Sequence, residues 1–372
     1  MSFSKSETDL LKYRIAMLQI PDVGDMIARN LISYCGGAEK IFAATESKLK
    51  RIPGVGEKIA RNIIEFNGWA EIEEEIKFIE KHKIQTLFYT DEAYPKRLKN
   101  YSNTPVLLFY KGNCNLNSGK IIALVGTRNA TDYGKKWTEK FIEEISPFKP
   151  VIVSGLAFGI DIYSHKAALK NNIETIGVLA HGLNKIYPPE HKSTAEKMIS
   201  QGGLLTEYTS KSKPDREHFP DRNRIVAAMS DAIIVVESKE KGGSLITANF
   251  GNNFNKDVFA VPGKSSDANS RGCNFLIKSN QAMLIENAAD FILQMGWADS
   301  KTDHIPVQKN LFVDLDELEQ KVMTVLNADT KVHLDELIYK TGLSSGKMAA
   351  VLLGLEMKFI ITALPGKMYK PA

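Results

Sequence analysis

Ile121-Ile122-Ala123-Leu124-Val125 runs directly into Gly126-Thr127-Arg128, and this stretch decides the fold. An apolar run of this kind that ends at a glycine is typical of a strand buried in a parallel sheet. Further strand-like runs follow, mostly separated by helical patterns of about 10–15 residues. These runs are VIVSGLA from Val151, TIGVLAH from Thr175, GLLTEY from Gly203, AIIVVES from Ala232, DVFAVPG from Asp257 and AMLIEN from Ala282. The alternation predicts an α/β, Rossmann-like, mostly parallel sheet with helices on both faces.

A repeated motif precedes the predicted sheet. Ile20-Pro21-Asp22-Val23-Gly24 recurs as Ile52-Pro53-Gly54-Val55-Gly56, and helical patterns flank both copies. The repeat predicts a small all-α, helix-hairpin-helix (SAM-like) domain. Such hairpins can offer backbone N–H groups to a phosphate, yet residues 1–85 carry 13 basic and 13 acidic residues and so no net charge. Contact with DNA and a purely structural role both stay open here.

Weaker patterns complete the organisation of the chain. The apolar run from Val106 to Tyr110 predicts an edge strand or a strap onto the sheet. Three helical patterns and a final hairpin with Pro365-Gly366 at its turn predict a winged helix at the end of the chain. The predicted domains are a helical domain at 1–85, an extended Rossmann-like domain with its connector at 86–297, a polar linker at 298–312 and a winged helix at 313–372.

Composition restricts the class of protein and its compartment. The 372 residues have a net charge of +4, and residues 86–312 hold 28 basic against 23 acidic residues, so a nucleic-acid footprint is expected there. Three widely spaced cysteines argue against a zinc site or disulfides. Neither a membrane span nor a signal peptide is recognisable, so the expected location is the cytoplasm.

The loops after the predicted strands carry the candidate chemistry. Gly126 lets a ligand approach the backbone, Thr127 offers a hydroxyl and Arg128 offers a planar fork for phosphate. Small residues where the next helix begins leave its N–H groups open to an anion. Because carboxyl ends of parallel strands share one sheet edge, these loops should form one anion-binding groove. Its further candidates are Gly155, Ala157, Gly159, Lys185, Gly243, Ser244 and Thr247.

A basic segment with an interleaved aromatic residue lies beside these loops in the sequence. Cations can track phosphates while an aromatic ring stacks on a base, although a solvated loop without a ligand is the simpler interpretation. The segment supplies the candidates Arg216, Phe219, Arg222 and Arg224, and also contains Lys211, Lys213 and His218.

Signatures of catalysis are missing from the sequence. There is no GxxxxGK[ST] motif, and GxGxxG does not follow the first strand, which argues against a nucleotide hydrolase and a dehydrogenase. No nucleophile or carboxylate accompanies His165, His181 or His218 at a recognisable spacing. Asp161 and Asp221 are predicted to cap helices. We therefore predict no catalytic residue, no metal and no cofactor.

In the order VGTR, SGLAFGID, GLNKIYP, FPDRNRIVA, GGSLITA and VPG, the motifs resemble those of the DprA (Smf) family, a DNA-processing family of natural transformation and competence. The resemblance covers essentially the whole chain. It implies a homodimer that binds and shields single-stranded DNA and helps to load the RecA recombinase, with a single-strand-binding protein as a further partner and no membrane. It also implies DNA contacts for Arg128, Arg216 and Phe219. His181 departs from the family, which usually has Gly-Thr-Gly before the leucine, and is expected to narrow the pocket.

Two other functions remain alternatives. A late Gly-Gly-Ser-x-x-Thr loop is similar to that of nucleoside-monophosphate phosphoribohydrolases (lysine-decarboxylase-like enzymes), but no carboxylate follows it where they need a catalytic glutamate. An adaptor that uses only its outer domains is the other alternative. For the winged helix, few basic side chains on its predicted recognition helix favour a role in protein contacts over base reading.

Overall fold

The described residues form two compact units. The computed structural model describes residues 5–297, 315–328, 331–358 and 360–371. Residues 1–284 belong to one unit and residues 285–372 to the other, and each is described by itself. The predicted linker at 298–312 lies outside the described residues, and the predicted domain boundaries stay predictions.

The first unit begins with short helices that pack around their own apolar core. The two copies of the repeated motif form the turns before the second and fifth helices, as predicted. Leu31, Ile41 and Ile72 are fully buried in this core. The helices are α1 (Lys5–Leu18), α2 (Asp25–Cys35), α3 (Ala38–Phe42), α4 (Glu46–Leu49), α5 (Glu57–Ile64) and α6 (Trp69–His82).

A mixed sheet of nine strands follows in the described part of the first unit. The sequence alternates strands and helices from residue 121 onward, and every predicted strand is present. In chain order the elements are β1 (Gln85–Phe88), α7 (Lys96–Lys99), β2 (Leu107–Gly112), β3 (Ile121–Val125), α8 (Asp132–Ile145), β4 (Val151–Ser154), α9 (Ile160–Lys170), β5 (Thr175–Val178), α10 (Lys192–Ser200), β6 (Gly202–Thr206), α11 (His218–Met229), β7 (Ala232–Val235), α12 (Ser244–Asn253), β8 (Asp257–Ala260), α13 (Arg271–Lys278) and β9 (Met283–Leu284).

The sheet order confirms the predicted Rossmann-like arrangement. The strands lie in the order β1-β2-β6-β5-β4-β3-β7-β8-β9. All neighbours from β6 to β9 pair in parallel, whereas β2 pairs with both β1 and β6 in antiparallel fashion. Every residue of β3 is buried, which is expected for a strand covered on both faces. The carboxyl ends of β3, β4 and β7 therefore meet at one edge.

The prediction of an edge strand at Val106–Tyr110 is wrong in one respect. β2 lies inside the sheet, because β1 pairs with it and occupies the edge. Alternate side chains of the run face two cores: Leu107 and Phe109 pack with the helical region, while Leu108 and Tyr110 pack with the sheet. The predicted role as a strap is confirmed, since this strand joins the two parts of the first unit.

The second unit contains the predicted winged helix. Val322, Leu337 and Leu352 are buried in its own core. The turn at Gly366, which has a φ of 78°, joins the last two strands, as predicted. The elements are α14 (Ala288–Gln294), α15 (Glu317–Ala328), β10 (Val332–His333), α16 (Leu334–Thr341), α17 (Ser345–Met357), β11 (Ile361–Leu364) and β12 (Met368–Pro371).

Candidate functional site

An open groove of about 690 Å³ lies at the carboxyl ends of β3, β4 and β7. The loops after these strands and one face of α11 form its walls. It brings together most of the residues predicted from the sequence. Its lining includes Gly126, Thr127, Arg128, Gly155, Ala157, Asp161, Tyr187, Arg216, Phe219, Arg222, Asn223, Lys239, Lys241, Gly243, Ser244, Ile246 and Thr247.

The loop at Gly126–Arg128 is held by backbone hydrogen bonds on both sides. The N–H of Thr127 donates to the carbonyl of Glu237 at 2.7 Å, and the N–H of Ile160 donates to the carbonyl of Thr127 at 3.2 Å. Arg128 is exposed, and its guanidinium lies 5.3 Å from the centre of the Phe219 ring. The loop is thus fixed while its cation faces the groove beside an aromatic surface.

Two glycines let the second loop fold closely against its surroundings. A side chain at Gly155 would collide with the guanidinium of Arg222 and the carboxylate of Asp161. Gly159 has a φ of 78°, and a side chain there would collide with the backbone of the Thr127–Arg128 loop. Gly155 lines the groove. Gly159 lies against the backbone of the Gly126–Arg128 loop and does not line it.

Four cations around the groove are available to an anionic ligand. Arg128, Arg216, Lys239 and Lys241 are exposed and line it. Within the residues that the structure describes, none of the four forms an ion pair. Lys239 and Lys241 were absent from the predicted set, although their position just after β7 was a usable signal. The groove can therefore attract a polyanion along its length.

Helix α11 separates the predicted cations from one another. Phe219, Arg222 and Asn223 lie on the face that lines the groove, as their spacing of three and four residues requires. Arg222 forms the floor: it is buried and donates to the carbonyl of Val178. Arg224 lies on another face and, contrary to the prediction, does not line the groove.

Arg224 is instead part of a largely buried ionic cluster. Its guanidinium donates to Glu207 at 2.6 Å and to Asp25 at 3.0 Å. Lys185, another predicted contact, is exposed on the loop before Tyr187 and does not line the groove. Tyr187 itself was missed, although its ring lies 6.3 Å from that of Phe219.

The two residues predicted to offer hydroxyls at the start of α12 are both buried at the wall of the groove. Ser244 is buried and donates from Oγ to the Oγ of Ser238 at 2.9 Å, and Thr247 is buried too. Gly243, in contrast, is exposed with nothing near the place of a side chain. What α12 offers a ligand is its N-terminal end, where the helix dipole favours negative charge.

The carboxylates near the groove have structural partners. Glu237 is buried and accepts from the N–H of Thr131 at 2.9 Å and from the Thr131 hydroxyl. Burial raises the pKa of Asp161, and Arg222 opposes that shift. The prediction that Asp161 and Asp221 cap helices is wrong, because Gly159 and Glu217 hold the N-cap positions and both aspartates lie in first turns.

The three histidines considered as catalytic candidates are buried or in contact with neighbouring side chains. His165 bonds to Thr175 at 2.7 Å, and burial lowers its pKa to about 4. His181 is buried and donates from Nδ1 to the carbonyl of Gly182 at 2.8 Å, and burial lowers its pKa as well. It lines a separate cavity of about 40 Å³ together with Tyr187 and Phe219, and the expected narrowing of the pocket stays a prediction. His218 stacks on Tyr208.

Neither a metal cluster nor a membrane helix is present in the described ranges. No group of three or more histidine, cysteine, aspartate or glutamate side chains there could hold a metal ion. None of the described helices is long and apolar enough to cross a membrane.

Three family models match consecutive parts of the chain. Residues 14–75 match the helix-hairpin-helix motif, residues 85–296 match DNA recombination-mediator protein A, and residues 313–367 match the DprA winged helix domain. The second match alone covers more than half of the 372 residues and includes the whole groove.

Curated relatives and solved structures agree with these matches. Protein Smf of Synechocystis is 33% identical over 79% of this chain and 82% of its own length. DNA processing protein DprA of Bacillus subtilis is 43% identical over 57% of this chain and 71% of its own length.

Among solved structures, DprA of Streptococcus pneumoniae has a TM-score of 0.67 at 30% identity and covers 79% of this chain and 99% of its own. DNA processing protein A of Helicobacter pylori, described for its single-stranded DNA binding mode, has a TM-score of 0.52 at 31% identity and covers 57% of this chain and 94% of its own. With the groove at the strand ends, the helical hairpins and the winged helix in place, this chain belongs to the DNA recombination-mediator protein A (DprA/Smf) family.

Proposed function

We propose that this chain binds single-stranded DNA in the groove and catalyses no reaction there. The observation that carries the proposal is a groove with an aromatic surface and four exposed cations, none of which forms an ion pair with another described residue. The cations would take the phosphates, and the N-terminal end of α12 would take another.

The aromatic residues favour a single strand over a duplex. Phe219 is half-buried under Arg128, and Tyr187 is 47% exposed beside it. Rings held in a cationic groove stack on unpaired bases, whereas the bases of a duplex already stack on each other. The H. pylori relative, whose structure is described for single-stranded DNA binding, supports the same choice.

The partners of the carboxylates support a non-enzymatic role. A phosphoribohydrolase needs a carboxylate poised at the groove, but Glu237 is held by Thr131, and Asp161 lies buried beside Arg222. Incubation with AMP tests this point. Release of free adenine would overturn the non-enzymatic role, and an unchanged nucleotide is expected.

We further propose the family's wider role for this chain: it protects single strands and helps to load RecA onto them, as a homodimer in the cytoplasm. Exposed apolar side chains on β9, Met283 and Leu284, and on the preceding helix α13, Phe275, support association with a second copy. On α17, exposed Leu353 and Met357 support a protein contact for the winged helix. The three buried free cysteines fit a reducing compartment.

Titration of the full chain with single- and double-stranded DNA of equal length tests the proposal. At one fixed salt concentration we expect clearly tighter binding to the single strand, because only unpaired bases reach Phe219 and Tyr187. Equal affinity for both forms would contradict the stacking argument. If the chain binds neither form, the proposal that DNA is the ligand of the groove is wrong.

A further inference from the structure

A buried carboxylate of the helical region binds the segment that carries several groove residues, Arg216 and Phe219 among them. Glu75 of α6 is only 3% exposed. Its oxygens accept from the N–H of Ser210 at 2.9 and 3.0 Å and also from the Ser210 hydroxyl. A buried carboxylate satisfied in this way is costly to disturb, because removing a partner leaves charge or polar groups unsatisfied.

Ser210 belongs to the segment 207–224, which leaves β6 and enters α11. This segment holds Arg216 and Phe219, both of which line the groove. Within it, the rings of Tyr208 and His218 stack with centroids 4.2 Å apart. The N–H of Gly182 donates to the carbonyl of Ser212 at 3.2 Å. Arg216 itself is exposed and lies six residues beyond Ser210, so its position depends on how the segment is anchored.

A second carboxylate of the helical region anchors the other end of the segment. Asp25, the first residue of α2, binds the Arg224 guanidinium at 3.0 Å, and the same guanidinium binds Glu207 at 2.6 Å. Lys211 also pairs with Glu74 of α6 at 2.6 Å, but both side chains are exposed and this pair contributes little. The helical region thus contacts the segment before Arg216 and after Phe219.

From this geometry we infer that the helical region positions the DNA-binding segment, with Glu75 as the main positioning residue acting through Ser210. The inference rests on the proposed binding of single-stranded DNA. It assigns the helix-hairpin-helix region a function that requires no DNA contact of its own and that fits its lack of net charge. Removing the Glu75 carboxylate should release Arg216 from its place without removing any groove side chain.

A double-mutant cycle between Glu75→Ala and Arg216→Ala tests the inference in the full chain. The readouts are the affinity for a single-stranded oligonucleotide and its salt dependence. Each single variant should weaken binding several-fold and lower the slope of log K against log salt by about 0.7, the value for one phosphate on a single strand. The double variant should be no weaker than the weaker single variant, because both changes remove the same contact.

Glu73→Ala is the matched control, since Glu73 lies on the same helix, is 58% exposed and pairs with Lys12 away from the segment. It should bind as the wild type does. If Glu75→Ala does not fold, judged by its thermal unfolding, Ser210→Ala takes its place in the cycle, with a smaller loss of affinity expected because the N–H of residue 210 still bonds to Glu75.

The outcomes separate the two proposals. The positioning role would be overturned if the two losses of affinity multiply in the double variant. It would also be overturned if Glu75→Ala binds with wild-type affinity and salt slope. Either result would leave the groove assignment intact. Wild-type affinity in Arg216→Ala, or no binding by the wild type, would overturn the groove assignment itself.

Discussion

Gly155 shows how a single residue can decide whether the groove keeps its shape. Two charged side chains, Arg222 and Asp161, occupy the space that a larger residue would need. Gly243 lines the same groove but has nothing within 4 Å of the place of a side chain. Both glycines were predicted as parts of small-residue loops that could bind phosphate at the carboxyl ends of the strands.

Gly155→Ala should therefore lower stability and impair binding, whereas Gly243→Ala should leave stability unchanged. A methyl group at residue 155 must push buried charged groups aside, and such overpacking costs about 1–3 kcal/mol of stability. We expect a lower thermal midpoint for Gly155→Ala only, and weaker single-strand binding by that variant. Fluorescence anisotropy and thermal unfolding of both variants check this, and equal behaviour of the two would contradict the steric account.

Helix α11 explains why the basic segment was only partly predictable. In the sequence the segment is a run of cations around Phe219, and every one of these cations could equally well contact DNA. The helix places Phe219 and Arg222 on the groove face and turns Arg224 toward the carboxylates of Asp25 and Glu207. A helical period applied to these residues would separate Arg224 from the others, but its partners could not be found, because contacts across such distances in sequence leave no local pattern.

The strands were more predictable than the side chains at their ends. Runs such as Ile121–Val125 are buried on both faces, and this leaves a strong apolar signal. β1 was missed, because Gln85–Phe88 is short and follows a helix without a clear break. Its absence from the prediction is what misplaced β2 at the edge.

Across the whole first unit, the helical region and the sheet are coupled through buried charges. The cluster of Asp25, Glu207 and Arg224 joins residues nearly 200 positions apart in the sequence. Burial is the main cause that raises the pKa of Glu207 to about 7, with Arg224 opposing it. The stability of this unit should therefore depend on pH in a defined direction.

Between pH 4.5 and about 7 the folded chain holds a proton on Glu207 that the unfolded chain releases. The stabilisation of the folded state by this group is therefore complete below pH 4.5 and is lost as the pH rises through about 7. Glu207→Gln cannot titrate. Between pH 4 and 8 the wild type should lose about 3 kcal/mol of stability relative to this variant, most of it between pH 4.5 and 7. Urea unfolding of both chains at several pH values measures it, and a pH-independent difference would contradict the shift.

The most direct test of the groove is the salt dependence of single-strand binding by the wild type and by Arg128→Glu. Arg128 is exposed, lies over Phe219 and forms no ion pair within the described residues. For the wild type, the logarithm of the binding constant should fall linearly with that of the salt concentration. Arg128→Glu should bind far more weakly and with a shallower slope, because a phosphate contact is lost and a repulsion is added. Unchanged affinity and slope across the series would show that single-stranded DNA does not lie in this groove.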